Sequence, residues 1–224
     1  MTIESPLNYV VRVQNSMIAF CLSLLLILGA CSPASREKSF WKWFTDHEDA
    51  LFHFENDEDR VFGELAKELR NVNPDLVFEF SSVENGRRDF TISAGGLKSA
   101  FPAVEALYEA APKLPRWRFF KFRQRHEPTN LSYNGVRVPV EEVKFDLKPN
   151  GEKADITIFL PGYSKDQQET YLGIAFLFLD QALGEYDVEM RIGVVDIKNI
   201  SEASATSQAF ASLPKAFDGL FVRH

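Results

Sequence analysis

Cysteine is scarce in this sequence, which has two in 224 residues, at positions 21 and 31. Cys21 lies within an apolar N-terminal run, so a chain cleaved after that run keeps Cys31 as its single thiol. A single thiol forms neither an intramolecular disulfide nor a metal site built from several cysteines. A chain of this length buries roughly 70% of its unfolded surface, so we expect it to fold by packing alone.

Positive charge is scarce as well. The sequence has 25 lysines and arginines against 32 acidic residues, which gives a formal net charge of -7. A surface with this balance repels a phosphate backbone, so we expect no nucleic-acid partner. Neither of the standard glycine-rich phosphate loops occurs, which argues against a nucleotide cofactor.

Histidine, with four copies, gives little support to metal binding or catalysis. Asp49 and His53 are spaced to contact one ion from a helix, but no third ligand accompanies them. The hydrolase pattern Gly-x-Ser-x-Gly is absent, and Ile92-Ser-Ala-Gly-Gly96 indicates the end of a strand. The sequence therefore predicts no metal and no cofactor, and it favours a protein without catalytic activity.

Residues 17–30 form an uncharged apolar run near the N-terminus. The run is shorter than the ~20 residues that a transmembrane helix needs, which favours a signal sequence. It ends in Leu28-Gly-Ala-Cys31, which resembles the lipobox of bacterial lipoproteins. This resemblance implies a signal peptide over 1–30, a lipid group on the Cys31 thiol and a membrane as partner.

One feature departs from the lipoprotein pattern. Arg12 is the only basic residue before the apolar run, and translation from Met17 would leave none. An uncleaved single-pass anchor is therefore the alternative. Ser32 after the cysteine accompanies sorting to the outer membrane in lipoproteins of two-membrane bacteria, where the domain faces the periplasm. In a single-membrane host, the domain would lie on the outer face of the cell membrane.

Residues 31–39 indicate a short tether between the lipid and a single domain over 40–224. At about 3.5 Å per extended residue, the seven residues Ser32–Lys38 reach only about 25 Å. Several acyl chains hold a protein to a bilayer much more firmly than one chain does. We therefore expect the domain to work close to a membrane surface.

Two helices are predicted at the start of the domain. Ser39 is placed to cap a first helix over 40–54. The acidic run 55–59 favours the start of a second helix, which has a regular apolar stripe and ends at Asn73-Pro74.

The rest of the domain repeats the order strand, strand, helix, strand, over about 75–123 and again over about 143–197. In each copy an Asn-Gly turn follows an alternating strand. The return strand, over 88–93 in the first copy, contains a segment of the form Asp-x-Thr-Ile, at Asp89 and at Asp155. In the second copy, Ser164 and Gln167 predict a capping box before a long apolar helix that stops at Gly184. A strand over 188–195 is expected to follow.

The predicted fold class is α+β, with one largely antiparallel sheet and helices on one face. Duplication of a half explains the repeat, and convergence of short hairpins is the alternative. The segment after Ile200 is rich in serine and alanine, which predicts a helical flap or a poorly ordered end.

A basic segment over 116–125 stands out in an acidic chain. Arg116, Arg118, Lys121 and Arg123 are candidates for binding an anion, such as a lipid head group or an acidic partner. The alternative is a sheet strand whose arginines pair with acids such as Glu79 or Asp146.

A second segment, Phe40-Trp-Lys-Trp-Phe44, follows the predicted tether. Tryptophans beside a lysine are typical of a membrane interface, and packing in the core is the alternative. Asp180 and Glu185 flank the end of the apolar helix, where a buried carboxyl pair could act as general acid and base.

From about Phe40 to Ile197 the chain resembles a family of uncharacterised bacterial proteins. The similar segments are the aromatic run 40–44, Ala111-Pro-x-Leu-Pro-x-Trp117 and Leu177-x-Leu-Asp-x-x-Leu-Gly-Glu185. The resemblance implies an α+β domain and supplies no activity or site.

Three hypotheses about function follow from the sequence. The leading one is a membrane-tethered, non-enzymatic binding module whose partner is a protein or an envelope component. The alternatives are a tethered inhibitor or immunity-type protein that blocks a basic enzyme, and an enzyme of unrecognised type that uses Asp180, Glu185 or the basic segment.

Overall fold

The structure, a computed structural model, describes residues 35–221, which belong to one compact unit, Ala34–His224. The predicted signal peptide 1–30 and the lipidation residue Cys31 lie outside the described residues. Between residues 35 and 221, no helix combines the length and the apolar character needed to cross a bilayer.

The N-terminal helices differ from the sequence prediction. Helix α1, Arg36–Asp46, begins where the Ser35 side chain accepts a hydrogen bond from the Lys38 N–H at 3.3 Å. Ser35 rather than Ser39 is therefore the cap, and the predicted tether is helical from Arg36 onward. The helix expected over 40–54 is interrupted at His47, after which come α2, Glu48–Phe52, and a 3₁₀ turn, Phe54–Asn56.

Helix α3, Glu58–Val72, starts in the acidic run and ends before Asn73-Pro74, as predicted. The first three-stranded sheet follows it. Strand β1, Val77–Phe80, pairs antiparallel with β2, Arg88–Ser93, through the turn at Asn85-Gly86, where both residues have positive φ. Helix α4, Phe101–Glu109, then leads to β3, Trp117–Lys121, which lies parallel to β2.

A short hairpin separates the two halves of the domain. Strands β4, Leu131–Tyr133, and β5, Val136–Val138, pair across Asn134-Gly135, with φ of +48° and +79°. This hairpin was not predicted from the sequence, because each of its strands has only three residues.

The second half contains a four-stranded sheet. Strand β6, Lys144–Asn150, pairs antiparallel with β7, Lys153–Leu160, and helix α5, Gln168–Leu183, follows. The predicted capping box is wrong, because Ser164 makes no side-chain capping bond and a 3₁₀ turn, Lys165–Gln167, begins the helical segment.

The predicted strand over 188–195 is also wrong at its start. The chain turns at Gly184, with φ of +76°, into helix α6, Glu185–Arg191. Strand β8, Ile192–Asn199, begins only after this helix and lies parallel to β7.

The fold is α+β with mostly antiparallel pairing, as predicted. Within residues 35–221 the strands are divided among three sheets rather than the one sheet expected. The first half has the strand order β1-β2-β3 and the second contains β6-β7-β8, each with an antiparallel pair and then a parallel pair across a helix. This shared topology supports the predicted repeat.

Each half has its own hydrophobic core, and no buried residue between 35 and 221 belongs to both. In each half the helices cover one face of the sheet, where residues such as Phe90 and Ile158 are fully buried.

The C-terminal segment is part of the second core. Strand β9, Gln208–Ala209, pairs with β6, and helix α7, Leu213–Phe221, buries Phe217 completely, so this segment is not a loose flap.

Candidate functional site

The four basic side chains predicted to bind an anion all have carboxylate partners within the chain. Arg116 bonds to Glu48 at 3.1 Å and to Asp49 at 3.3 Å, and Arg118 bonds to Asp89. The structure therefore places these arginines in ion pairs, which neutralise their charge locally.

The other two basic candidates are also paired. Lys121 lies 3.5 Å from Glu105, and Arg123 bonds to Glu79 at 2.5 Å. The alternative interpretation of the sequence named Glu79 and Asp146 as partners of the arginines. Glu79 is such a partner, whereas Asp146 lies on β6 in the four-stranded sheet.

The aromatic segment at the start of α1 belongs to the first core. Phe40, Trp41 and Phe44 are buried, and the Trp41 indole N–H donates to the Leu107 carbonyl at 2.7 Å. Trp43 stacks on the ring of His47 at the surface. Core packing, rather than contact with a membrane interface, therefore accounts for most of this segment.

Among residues 35–221, the structure supplies no third ligand for the metal site considered at Asp49 and His53. The Asp49 carboxylate and the His53 ring are 3.9 Å apart, and Arg116 also contacts Asp49. Within residues 35–221 there is no group of three acidic, histidine or cysteine side chains that could hold a metal ion.

A cleft lies between the two halves and is lined in part by Asp180, one of the two acids that the sequence places at the end of the apolar helix. The cavity has a volume of about 380 Å³. Its residues come from the loop after β2, the segment after β3, the β4–β5 hairpin, α5 and α6. It is lined by Gly95, Gly96, Arg123, Tyr133, Gly173, Phe176, Leu177, Asp180 and Glu189.

The Glu185 carboxylate holds the backbone around this cleft by hydrogen bonds. Its side chain is fully buried at the first position of α6. Oε1 accepts hydrogen bonds from the Ala94 N–H at 2.9 Å and the Gly96 N–H at 3.2 Å, and Oε2 accepts one from the Arg123 N–H at 3.1 Å. Because three backbone donors occupy its oxygens, Glu185 acts as a structural anchor rather than as the free acid or base considered from the sequence.

Asp180 is the carboxyl group that faces the cleft from α5. Burial raises the pKa of Asp180 to about 6, and the negative charges of Glu185 and Glu189 act in the same direction. The Arg123 guanidinium, 3.3 Å away, opposes this shift without cancelling it. A carboxyl group with this pKa changes its charge in the range where many proteins function.

Glu189 faces the cleft one helical turn after Glu185. Burial raises the pKa of Glu189, and the nearby charge of Glu185 adds to the effect. A carbon atom added to Gly96 would lie 3.5 Å from the Glu189 carboxylate, so the glycine loop passes directly beside this acid. Glu189 forms no salt bridge with any residue between 35 and 221.

The backbone that places Arg123 is strained. Phe122 has a φ of +61°, a conformation in which a bulky side chain is a genuine outlier. Its ring is held between Phe101, at 4.4 Å between ring centroids, and Tyr186, at 5.4 Å. Such strain persists only where the surroundings enforce it, and it is concentrated at functional sites.

Two aromatic rings form the apolar wall of the cleft. Tyr133 is 39% exposed and Phe176 is 37% exposed, although both are large and apolar. Tyr133 lies against the backbone of Gly173, where an added carbon atom would come within 2.8 Å of its ring. The glycine therefore lets the hairpin approach α5 and close one side of the cleft.

Comparisons with protein-family models, with curated proteins and with solved structures found no match. The sequence identified Asp180 and Glu185 but not Glu189, Tyr133 or the glycine loop. The spacing of Glu185 and Glu189, one turn apart, was a signal that could have added Glu189.

Proposed function

We propose that the protein is a membrane-tethered binding module of the bacterial envelope and that the cleft between its halves is the binding site. The observation behind this proposal is the composition of the cleft. It combines a concave shape, two exposed aromatic rings and two carboxyl groups with raised pKa values. A concave, partly apolar pocket with a few converging polar groups is the usual form of a ligand site.

The start of α1 sets how far the domain would lie from the bilayer under this proposal. If Cys31 carries lipid, five peptide steps separate it from Arg36, the first residue of the helix. Extended chain covers at most about 18 Å over that distance. The domain would then remain at the bilayer surface, and its ligand would be a component that comes within this distance of the membrane.

The lipid anchor is tested by the substitution Cys31→Ala in the full chain. We expect the variant to lose metabolic labelling with palmitate and to leave the membrane fraction, because the proposed acyl chains would be absent. The control is Cys21→Ala, which should retain both properties. Membrane attachment of the Cys31 variant that resists salt and carbonate would contradict the anchor.

The binding site is tested by photo-crosslinking in intact cells. A photoreactive phenylalanine derivative replaces Tyr133, which lines the cleft, and in the control it replaces Val194, which is 60% exposed on β8. We expect a specific adduct from position 133 and none from position 194. The Leu177→Trp substitution, which fills the cleft, should abolish the adduct, whereas Leu220→Trp, outside the cleft, should not.

Two outcomes would overturn the assignment of the cleft. One is an equal yield of the same adducts from positions 133 and 194. The other is an adduct at position 133 that persists in the Leu177→Trp variant, provided that circular dichroism shows the variant to be folded.

A further inference from the structure

We propose that the cleft binds an organic cation, an ammonium or guanidinium group on an apolar carrier, with the charge beside Glu189 and Asp180 and the carrier against Tyr133 and Phe176. The proposal rests on the assignment of the cleft as the binding site and adds the chemical class of its ligand.

The first argument is the charge balance of the cleft. Asp180 and Glu189 line it, and the buried Glu185 lies directly behind the glycine loop. Arg123 is the basic residue of the lining, and its guanidinium is already engaged by Glu79 at 2.5 Å and by Asp180 at 3.3 Å. Lys98 and Lys153 lower the pKa of Glu189 by their charge, but neither lines the cavity or forms a salt bridge with Glu189. The lining itself therefore has two carboxylates against one arginine that is already paired, and a cation would compensate this excess of negative charge.

The second argument is the state of Glu189. Its carboxylate has neither a salt bridge nor a side-chain hydrogen bond with any residue from 35 to 221, yet it is partly withdrawn from water. A carboxylate in this situation is stabilised when a ligand brings a positive charge into contact with it. Asp180 differs from Glu189, because the Asp180 carboxylate already forms a salt bridge with Arg123.

The third argument is independent of the acids and concerns the aromatic wall. Tyr133 and Phe176 expose more than a third of their surface at the edge of a cavity, instead of turning into the second core. The faces of aromatic rings attract cations, and their apolar area favours a ligand that buries hydrocarbon. An anionic or purely polar ligand would gain from neither feature.

The size of the cavity limits the carrier. A volume of about 380 Å³ lies at the lower end of the range for small-molecule sites. It suits one phenylalkyl amine or one basic side chain with its neighbouring backbone. The cation can thus come from a free amine or from a lysine or arginine side chain of a protein, and the experiment distinguishes these sources.

The test is titration calorimetry with two matched pairs of probes on the folded protein. The first pair is 4-phenylbutylamine and the uncharged 4-phenylbutanol. The second pair is an end-blocked Phe-Lys dipeptide and the same dipeptide with an acetylated lysine. We expect at least one amine to bind about tenfold or more tightly than its neutral counterpart, since a paired charge adds at least this much.

Variants assign the binding to the cleft. Glu189→Gln keeps the shape of the side chain and removes its charge, so amine affinity should fall about tenfold. The matched control is Glu169→Gln, an exposed acid of α5 outside the cleft, for which affinity should not change. A preference for the free amine indicates a small-molecule ligand, and a preference for the dipeptide indicates a protein partner.

Equal binding of charged and neutral probes, unchanged affinity in the Glu189→Gln variant, or no binding of either amine would overturn the proposal. These failures are distinct from failure of the binding function. If the crosslinker at position 133 still forms its cleft-dependent adduct, the cleft is a binding site whose ligand is not a cation.

Discussion

The Glu185 carboxylate accepts a hydrogen bond from the backbone N–H of Ala94 at 2.9 Å, although the two residues are 91 positions apart. Ala94 directly follows β2 in the first half, and Glu185 begins α6 in the second. With the bonds from Gly96 and Arg123, this contact joins the halves at the base of the cleft through a single buried side chain.

Replacing Glu185 should therefore weaken the whole domain. In Glu185→Ala three backbone donors lose their acceptor, and each unsatisfied donor costs about 1 kcal/mol or more, so we expect a loss of at least about 3 kcal/mol. Urea unfolding measures the change. Glu169→Ala, at an exposed position of α5, should alter stability by less than about 0.5 kcal/mol. A loss below about 1 kcal/mol in the Glu185 variant would show that the three bonds contribute little.

Asp180 should make stability depend on pH. Its pKa of about 6 in the folded state exceeds the ordinary value of 3.8, so the folded state binds the proton more tightly than the unfolded state does. The stability from this group is complete below pH 4 and is lost as the pH rises through 6. The difference amounts to about 3 kcal/mol at most.

The Asp180→Asn variant isolates this effect, because Arg123, Glu185 and Glu189, the charged groups facing Asp180, remain in place. We expect the variant and the native protein to unfold at similar urea concentrations at pH 4. The variant should be more stable by about 2 kcal/mol or more at pH 8. A constant difference between the two proteins from pH 4 to 8 would be inconsistent with a raised pKa.

Arg88 should matter more for its hydrocarbon stem and its packing than for its charge. It is 2% exposed, lies 4.3 Å from the Phe54 ring centroid and pairs with Glu55, whose side chain is 56% exposed. Removing the side chain in Arg88→Ala leaves a cavity and should cost about 3 kcal/mol. Arg88→Met fills the space and leaves Glu55 in water, so its cost should be about 1 kcal/mol.

Chemical unfolding of both Arg88 variants tests this order, with Arg87→Ala at the exposed neighbouring position as the control. If Arg88→Met proved as damaging as Arg88→Ala, the ion pair rather than packing would dominate at this site.

Gly173→Ala should separate binding from stability. The new methyl group would come within 2.8 Å of the Tyr133 ring, and we expect this partly exposed ring to shift toward solvent. The helix gains about 1 kcal/mol from alanine. Because the displacement of Tyr133 offsets this gain, the overall stability should change little. Binding of the amine probe should weaken, because the displaced ring no longer closes the cleft.

Gly63→Ala in α3 is the matched control, since nothing lies within 4 Å of the added carbon atom. It should stabilise the domain by about 1 kcal/mol and leave the titration curve unchanged. Undiminished binding in Gly173→Ala would show that the position of Tyr133 is not critical.

Much of the fold is encoded locally. Strand β2 has the predicted bounds 88–93, because clear alternation and the Asn85-Gly86 turn act together. The order strand, strand, helix, strand was predicted in both halves for the same reason, but helix α6 of the second half was not. Residues 188–191 were assigned to a strand, because a short apolar run does not distinguish strand from helix. The long-range bonds of Glu185 help to fix the helix there, and the local pattern contains no trace of them.

The cleft could be predicted only in part. Asp180 and Glu185 were recognisable as acids at a helix end, but their roles depend on contacts with Ala94 and Arg123, far away in the sequence. Tyr133 gave no signal, because its importance arises from the position of a hairpin against Gly173. The ion pairing of the basic segment likewise depends on which acids the sheet and the helices bring beside it.

In the part of the chain that the structure describes, the two hydrophobic cores have no buried residue in common, and this separation has a consequence for hydrogen exchange. Each half should open as its own cooperative unit, with the amides of Ala94, Gly96 and Arg123 at the boundary. A ligand that contacts both walls of the cleft would suppress the relative opening of these units. Slower deuterium uptake at those three amides would therefore report occupancy of the site, even for a ligand that leaves the average structure unchanged.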